Sequence, residues 1–464
     1  MHMPEYDNSS NNVVVIGLGP IGLAAAIEAC QAGLNVTAIT DRPLGKQKGG
    51  YTRKPILRLN ETSFEYLESL VGKNAVHAYL AKNKLEEFQF KQMNFNKNTT
   101  EIVTYYFISV HDLENLLYEK LKEYKKNNQI IIEEPPNQFT RIEKHAVIVQ
   151  HPNRKEERIP FQYLIGADGS KHPSADKVGG IQYESTYDKS QTCTTHTAVE
   201  FSIDTDLKES LIPFVYPSPN QKRETLPFFQ TNSKRPTMEE YLNVGWKLSS
   251  PPEARIFLAK HTLYVGTELP PNIFNLPNGE EKQEKILAWT KLVLRTILPP
   301  DKVETLTPKQ YKNKKDVYQQ EKQRKQITTF EVDLQQTNQA IVRLPQIPPS
   351  SENAYFLPVG DALHTPHYHL GTGVNDGLLQ TKLLHELFKN KNIATYQLGV
   401  EKILAASNIR IQTYLDSRQK REDLATATKR QAASIKQFVT QLSTPFYEKR
   451  GPISKSFSPK KPKR

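Results

Sequence analysis

NNVVVIGLGPIGLAAAIEACQAGLNVTAIT, residues 11 to 40, decides how the rest of the chain is read. Val13 to Ile16 are β-branched and apolar without a break, as expected of a parallel strand buried on both faces. Ala24 to Ala32 suits a helix, and Gly33 stands where a helix end favours a left-handed residue. Val36 to Ile39 supplies a second strand. Between the first strand and the helix, Gly17, Gly19 and Gly22 form a GxGxxG pattern with Pro20 and Ile21 inside it. In that context Gly17 permits a tight turn, Gly19 lets backbone approach a pyrophosphate, and Gly22 lets helix and strand pack closely. The helix N-terminus adds unpaired N–H groups and a positive dipole. The reading is a dinucleotide cradle. At the end of the second strand, where an acid normally meets the ribose, the chain has Thr40, followed by Asp41 and Arg42. Thr40 is the weaker partner, and Asp41 is placed to take over.

The composition narrows the class. At 464 residues the chain can bury more than one core. Two cysteines, Cys30 and Cys193, cannot build a disulfide framework and suit a reducing, cytoplasmic compartment. The apolar run from Val13 to Leu34 is broken by Gly17, Gly19, Pro20 and Gly22 and carries Glu28, so no membrane span is expected. Lysine and arginine exceed the acids by 12. The excess is concentrated in Lys309–Lys325, with seven basic residues against Asp316 and Glu321, and in Lys449–Arg464, with seven and no acid. These segments suit solvation or an acidic macromolecular partner, nucleic acid not being expected. The closing SPKKPKR also has the look of a nuclear import signal.

Along the chain, a helix is expected at Val110–Lys125 with Leu113, Leu116, Leu117 and Leu121 on one face. From Cys193 to about Ala340 the texture turns to extended segments, interrupted by a helix over Glu280–Leu298. Helices are expected again over 374–389 and most of 393–443. The domain reading is 12–195 with 336–390 as a discontinuous cofactor domain, 196–335 as a substrate domain, 391–445 as C-terminal helices and 446–464 as a basic tail.

GDALHTPHYHLGTGVNDG, residues 360 to 377, puts His364, His367 and His369 close together. No nearby carboxylate or cysteine completes a tetrahedral set, so no metal is expected. The strand before it and the glycines after it carry more information. Here the sequence resembles the FAD-dependent aromatic hydroxylase superfamily, the group A flavoprotein monooxygenases. Their second FAD motif is an apolar strand ending in Gly-Asp, a proline loop, and glycines opening a helix. By that resemblance Gly360 and Asp361 meet the ribityl chain. Gly371, Thr372, Gly373 and Val374 meet the pyrimidine edge of the flavin at a helix start, and Asn375 lies beside the ring. YLIGADGSKHPSADKVG, with Asp168 and Gly169, resembles the superfamily's Asp-Gly signature near the pyrophosphate and the NAD(P)H path. Two positions depart from the pattern. Ala175 stands where an arginine is usual, and His111 replaces the arginine that generally reaches FAD. A looser resemblance is to the monooxygenase domain of MICAL proteins, which oxidise methionines of actin. It rests on VGDALHTPHYHLGTG, YTRKPILRLN and ISVHDLENLL.

The resemblance implies an α/β fold: a Rossmann-like FAD-binding domain of the aromatic hydroxylase type with an inserted, mostly antiparallel substrate sheet and a C-terminal helical segment. It implies FAD as cofactor, NAD(P)H as reductant, and transfer of one oxygen from O₂ through a flavin hydroperoxide. The substrate would be an aromatic small molecule or a protein side chain. His367, Tyr368 and His369 would lie near the reactive face, where an imidazole can shuttle protons. A catalytically impaired FAD-binding protein that engages an acidic partner through its basic segments is the alternative, favoured by Ala175 and His111.

Overall fold

A computed structural model of the protein describes residues 12–42, 44, 56–83, 86–94, 99–143, 145–153, 155–185, 193–215, 235–259, 261–311, 324–325, 327–344 and 353–443. Its central sheet has the strand order Val342–Leu344, Ala354–Pro358, Tyr163–Gly166, Asn12–Ile16, Asn35–Ile39, Ile130–Glu133. All neighbours run parallel except the edge strand Val342–Leu344. The strand Asn12–Ile16 lies between two partners and is buried at every residue, which is why its sequence is apolar without alternation.

Its two faces nevertheless serve different layers. Val13 and Val15 join a core with Leu23, Ala24 and Ile27 of the helix Pro20–Gln31, the four leucines of the helix Val110–Lys126, and Leu378, Leu384 and Leu387 of the helix Gly373–Asn390. Val14 and Ile16 join another with Val147, Val149 and Ile159 of a three-stranded antiparallel sheet, Gln138–Glu143, Ala146–Gln150 and Glu156–Pro160. Pro20 opens the first helix, where its fixed φ and missing N–H cost nothing. Gly33 follows that helix at φ 80°, in the left-handed region. Glu28, the acid inside the apolar stretch, is satisfied by two other helices: Tyr66 donates to it at 2.6 Å and the His385 ring lies 2.6 Å away.

A second antiparallel sheet joins Ala254–Ala259, Thr262–Glu268, Thr195–Ser202 and Ile327–Glu331, with the short strand Thr307–Pro308 also paired to Thr195–Ser202. Val199, Phe201, Leu258, Leu263 and Val265 point to one face and pack with Ile286, Trp289 and Val293 of the helix Glu280–Leu294. The helix expected to reach Leu298 therefore ends at Leu294. The chain turns through Arg295–Ile297 because Pro299 disfavours helical backbone before it, and Pro300 begins the next helix, Pro300–Glu304. The alternate residues His196, Ala198, Arg255, Phe257, Tyr264, Gly266 and Glu268 share the opposite face by register. A third antiparallel sheet is formed by Ile56–Asn60, Glu86–Asn94 and Thr99–Ser109.

The helix Ile393–Ser443 spans 51 residues. Tyr396, Val400 and Leu404 pack into the core of the central sheet. Farther along, Arg410 pairs with Asp376 and Arg418 with Glu268, so one helix ties the helix Gly373–Asn390 to the strand Thr262–Glu268 of the second sheet.

Candidate active site

The GxGxxG loop is shaped by contacts that differ glycine by glycine. Gly17 has φ 90°, and a Cβ there would lie 2.6 Å from the carbonyl oxygen of Ala167 and 2.7 Å from Cα of Asp168. A Cβ on Gly22 would lie 1.8 Å from the Gly17 oxygen. These two glycines are demanded by the fold. Gly19 is different, because its Cβ would meet only Nη2 of Arg42, at 3.7 Å. The surface over Gly19 is open, with one guanidinium beside it. That guanidinium donates to the Leu18 carbonyl at 3.1 Å and pairs with Glu114 at 2.7 Å. Thr40 is buried, and its hydroxyl donates to the Arg42 carbonyl at 3.1 Å. Its polar group is thus used within the turn, and the neighbouring exposed carboxylate is Asp41.

Asp168 lies directly under Gly17. One of its oxygens accepts from the Ser174 amide at 2.6 Å, while Oδ1 is buried without a partner. Burial raises its pKa above the usual carboxylate range, against the lowering effect of the Ser174 bonds. The Gly-Asp motif from the other end of the chain meets the same loop. A Cβ on Gly360, at φ 61°, would touch Ile21 at 3.2 Å, and one on Gly377 would touch Ile21 at 2.7 Å. Asp361 is exposed and sits against the helix start, with Oδ1 3.6 Å from where a Gly373 Cβ would be.

Beyond Asp361 the loop turns toward the second sheet. Gly371 is left-handed at φ 61°, and Thr372 precedes the helix Gly373–Asn390, whose second residue is Val374. Asn375 is buried and fully engaged. It donates to the carbonyls of Arg58 at 2.9 Å and Gly371 at 3.0 Å, and accepts from the Asn60 amide at 3.0 Å. Arg58 in turn donates to the Leu370 carbonyl at 2.7 Å and lies 4.4 Å from the Tyr105 ring centre. His367, Tyr368 and His369 face the second sheet. His196 Nε2 donates to the Cys193 carbonyl at 2.9 Å, which leaves Nδ1 to accept from the Tyr368 hydroxyl at 2.9 Å. The Tyr368 oxygen also lies 2.6 Å from His369 Nε2. His369 Nδ1 lies 3.1 Å from Glu253 Oε2, to which the Tyr414 hydroxyl donates at 2.6 Å. Burial lowers the pKa values of His196, to about 3, and of His367. His369 is lowered by burial and pulled back by Glu253.

The comparisons with known proteins agree with this geometry. A family model described as FAD binding domain matches residues 10–248, more than half of the chain. The chain belongs to this FAD-binding family. Its fold is that of the aromatic hydroxylases, with a parallel sheet, antiparallel sheets and a helical C-terminus. No curated protein matches the chain by sequence. Among solved structures, p-nitrophenol 4-monooxygenase from Pseudomonas putida DLL-E4 aligns over 93% of this chain and 96% of its own, with TM-score 0.54 and 11% identity. Aklavinone-11 hydroxylase, solved with FAD and aklavinone, aligns over 87% and 68%, with TM-score 0.52 and 13% identity. The flavin-dependent halogenase CmlS aligns over 85% and 62%, with TM-score 0.53 and 11% identity. At these identities the likeness is one of fold. The MICAL resemblance rests on the sequence motifs alone.

Within this FAD-binding chain the structure brings Gly17, Gly19, Pro20, Ile21, Gly22, Arg42, Asp168, Gly360, Asp361 and Gly373 into one neighbourhood. His111, at the start of the helix Val110–Lys126, instead bonds Asn115 at 2.9 Å; the contact to Arg42 comes from Glu114. Ala175 is buried in the short helix Pro173–Val178. His364 is buried apart from the ring contacts that join His367 and His369 to His196, and burial, with Arg410 nearby, lowers its pKa to about 4. Among the described residues, no group of three or more His, Cys, Asp or Glu side chains is arranged to hold a metal, and no helix is long and apolar enough to cross a membrane. Most of the Lys309–Lys325 segment and the basic tail lie outside the described residues. Sequence reasoning missed Arg58, His196, Glu253, Arg255 and Tyr414. The available signal was in EARIFLA, where Arg255 interrupts an alternating strand on the face away from its apolar core.

Proposed function

We propose that the chain is a flavoprotein monooxygenase that uses NAD(P)H and O₂ to insert one oxygen into an aromatic small molecule or a protein side chain. The observation that carries this reading is the convergence of three separated motifs on one cradle, in a chain of the FAD-binding family. The residues fit FAD. The open backbone at Gly19 with Arg42 beside it suits a pyrophosphate, and Asp168 offers a buried acceptor without a partner. Asp41 is assigned to the ribose, Asp361 to the ribityl chain, and Gly371, Thr372 and Gly373 to the pyrimidine edge. When bound, FAD supplies the redox chemistry, taking electrons from NAD(P)H and passing one oxygen of O₂ to substrate.

The chain's own residues orient the loop and hold its hydrogen bonds in one direction. The positive end of the helix Gly373–Asn390 favours negative charge at the Gly371 loop. Asn375 holds that loop against the strand Ile56–Asn60 and fixes where the helix begins. Because His196 Nδ1 must accept from Tyr368, the Tyr368 oxygen accepts from His369 Nε2. The Tyr368 hydroxyl is thereby held in one orientation, donating to neutral His196 and accepting from His369, whose Nδ1 faces Glu253. His367 stacks on Tyr368 with ring centres 5.3 Å apart.

Reconstitution tests the reading. Purified protein should bind FAD and consume NAD(P)H faster when a true substrate is present. Tyr368→Phe should keep FAD and lose substrate-dependent turnover. A chain that cannot be loaded with FAD would sink the proposal. Bound FAD with no NAD(P)H consumption under any condition would favour the impaired binding protein, to which the buried Ala175 contributes by placing no guanidinium beside Asp168.

A further inference from the structure

The helix Ile393–Ser443 outruns the body it packs on. Among the described residues, its last hydrogen bond to another element joins Thr426 to Ser249 at 3.1 Å. Every residue from Ala427 to Ser434 is exposed, and the hydroxyls of Thr428 and Ser434 turn back to carbonyls of their own helix. Beyond Thr426 the helical backbone continues to Ser443, roughly 25 Å at the α-helical rise. A free-standing helix of that length is marginal in water, so a surface that takes up one of its faces would stabilise it.

The sequence of this end is two-sided. Leu424, 70% exposed, is the most exposed large hydrophobic among the described residues. Ile435 follows it after about three helical turns and Leu442 after about five, so the three share one line along the helix. Phe438 and Val439 fall on either side of that line, and Lys429, Arg430 and Lys436 fall away from it. No acid occurs between Leu424 and Ser443, and the sequence that follows has seven basic residues against Glu448 alone. This pattern decides between occupants. A second copy would set the cations of one helix against those of another with no acid to pair them. A nucleic acid would answer the cations and leave the apolar line unused. An anionic bilayer surface answers both, taking the apolar line below its headgroups and the cations among them. Among the described residues no helix is long and apolar enough to cross a membrane, so the helix end would lie on the surface.

We propose that the helix end from Leu424 to Ser443 is a docking surface for an anionic lipid bilayer, with the basic segment Lys449–Arg464 adding to the attraction. The proposal is independent of the redox chemistry and of FAD loading. It is tested by sedimenting the full chain with vesicles of phosphatidylcholine alone and of phosphatidylcholine with about 30% phosphatidylserine. Wild type should bind the anionic vesicles at least about tenfold more tightly, and less tightly as salt is raised. Phe438→Asp should keep the wild-type melting temperature and lose binding by about tenfold or more, because it sets a charge in the apolar line. Leu442→Asp should do the same, and replaces it should Phe438→Asp fail to fold. In Phe438→Trp the indole emission should shift to the blue on anionic vesicles only. Equal binding to both kinds of vesicle would overturn the proposal. So would unchanged binding in both aspartate variants, which would leave only a basic chain meeting a polyanion. Wild type that ignores the vesicles but forms a dimer that Phe438→Asp dissociates would overturn it in favour of a second copy.

Discussion

Asn375 makes the sharpest test of how the site is built, because two substitutions there pull in opposite directions. Its amide group satisfies three backbone groups: the carbonyls of Arg58 and Gly371, and the N–H of Asn60. Asn60 is also the N-cap of the helix Glu61–Val71, accepting from Ser63 at 2.8 Å, so the clamp holds a helix start as well as a strand end. Asn375→Ala strands all three groups. At about 1 kcal/mol for each lost bond, the local cost is about 3 kcal/mol. Asn375→Asp keeps the acceptor for Asn60 but sets a carboxylate oxygen against two carbonyl oxygens. As the third residue of the helix Gly373–Asn390, that carboxylate gains ~0.3–1 kcal/mol from the helix dipole. The gain is smaller than the loss of two donor bonds plus repulsion. The aspartate variant should therefore be less stable than the alanine variant at pH 7, and should recover on acidification as the carboxyl regains a donor proton. Hydrogen exchange at the Asn60 amide is the assay, since it reports local opening without requiring the whole chain to unfold reversibly. A cost of about 3 kcal/mol corresponds to roughly 100-fold faster exchange in Asn375→Ala. An acceleration below about threefold, or an aspartate variant more protected than alanine at pH 7, would refute the clamp.

The glycines of the first loop separate folding from binding. Gly19→Ala should leave the melting temperature unchanged and weaken FAD by more than about tenfold, whereas Gly22→Ala should give insoluble or unfolded protein, since its Cβ meets the Gly17 oxygen at 1.8 Å. Arg418→Met leaves Glu268 buried and unpaired and should cost ~3–5 kcal/mol in thermal denaturation, most of it restored by adding Glu268→Gln. Acid should also weaken the fold. His196 and His364 have folded pKa values of about 3 and about 4, below the ~6.5 of an unfolded histidine, so the unfolded chain takes up protons first. Their contribution is complete above pH ~6.5 and falls below it, by about 2 kcal/mol each at pH 5. His364→Asn should flatten the fall in melting temperature between pH 7 and pH 5, and an unchanged slope would count against a neutral buried ring.

Legibility in the sequence follows how local the causes are. The cradle was readable because the strand, the turn and the helix that make it are contiguous, and Gly17 and Gly22 answer to contacts inside that unit or just beside it. Gly360 and Asp361 were readable for the same reason, as a strand end followed by a helix start. Asn375 was placed beside the ring from its position in the motif. Its commitment to Arg58 and Asn60 depends on a strand from the far end of the chain, which no spacing announces. The histidines drew attention as a cluster, yet His364 separates from the pair, because the loop turns between Pro366 and Gly371. Glu253 and Tyr414 were invisible for a related reason. Each meets the loop through His369 from a distant part of the chain, and neither sits in a motif.

The long C-terminal helix shows what kind of information was hidden. Beyond Leu404 its inward face keeps Ile411 and Leu415 on a small apolar cluster and adds a row of polar contacts: Ser407 and Arg410 on Asp376, Tyr414 on Glu253, Arg418 on Glu268, and Glu422 on the amides of Ser249 and Ser250. Their spacing follows the 3.6-residue turn, so they form one stripe about 22 Å long. An apolar stripe announces itself in a sequence, but a polar one looks like a solvated face. Here the stripe reaches across the site. One end grips the helix assigned to the flavin, and the other grips the end of the strand Thr262–Glu268 inside the second sheet. The separation between those two bodies is thus set by the rise of a single helix. That places the spacing between the helix Gly373–Asn390 and the second sheet under the control of the contacts along this one helix.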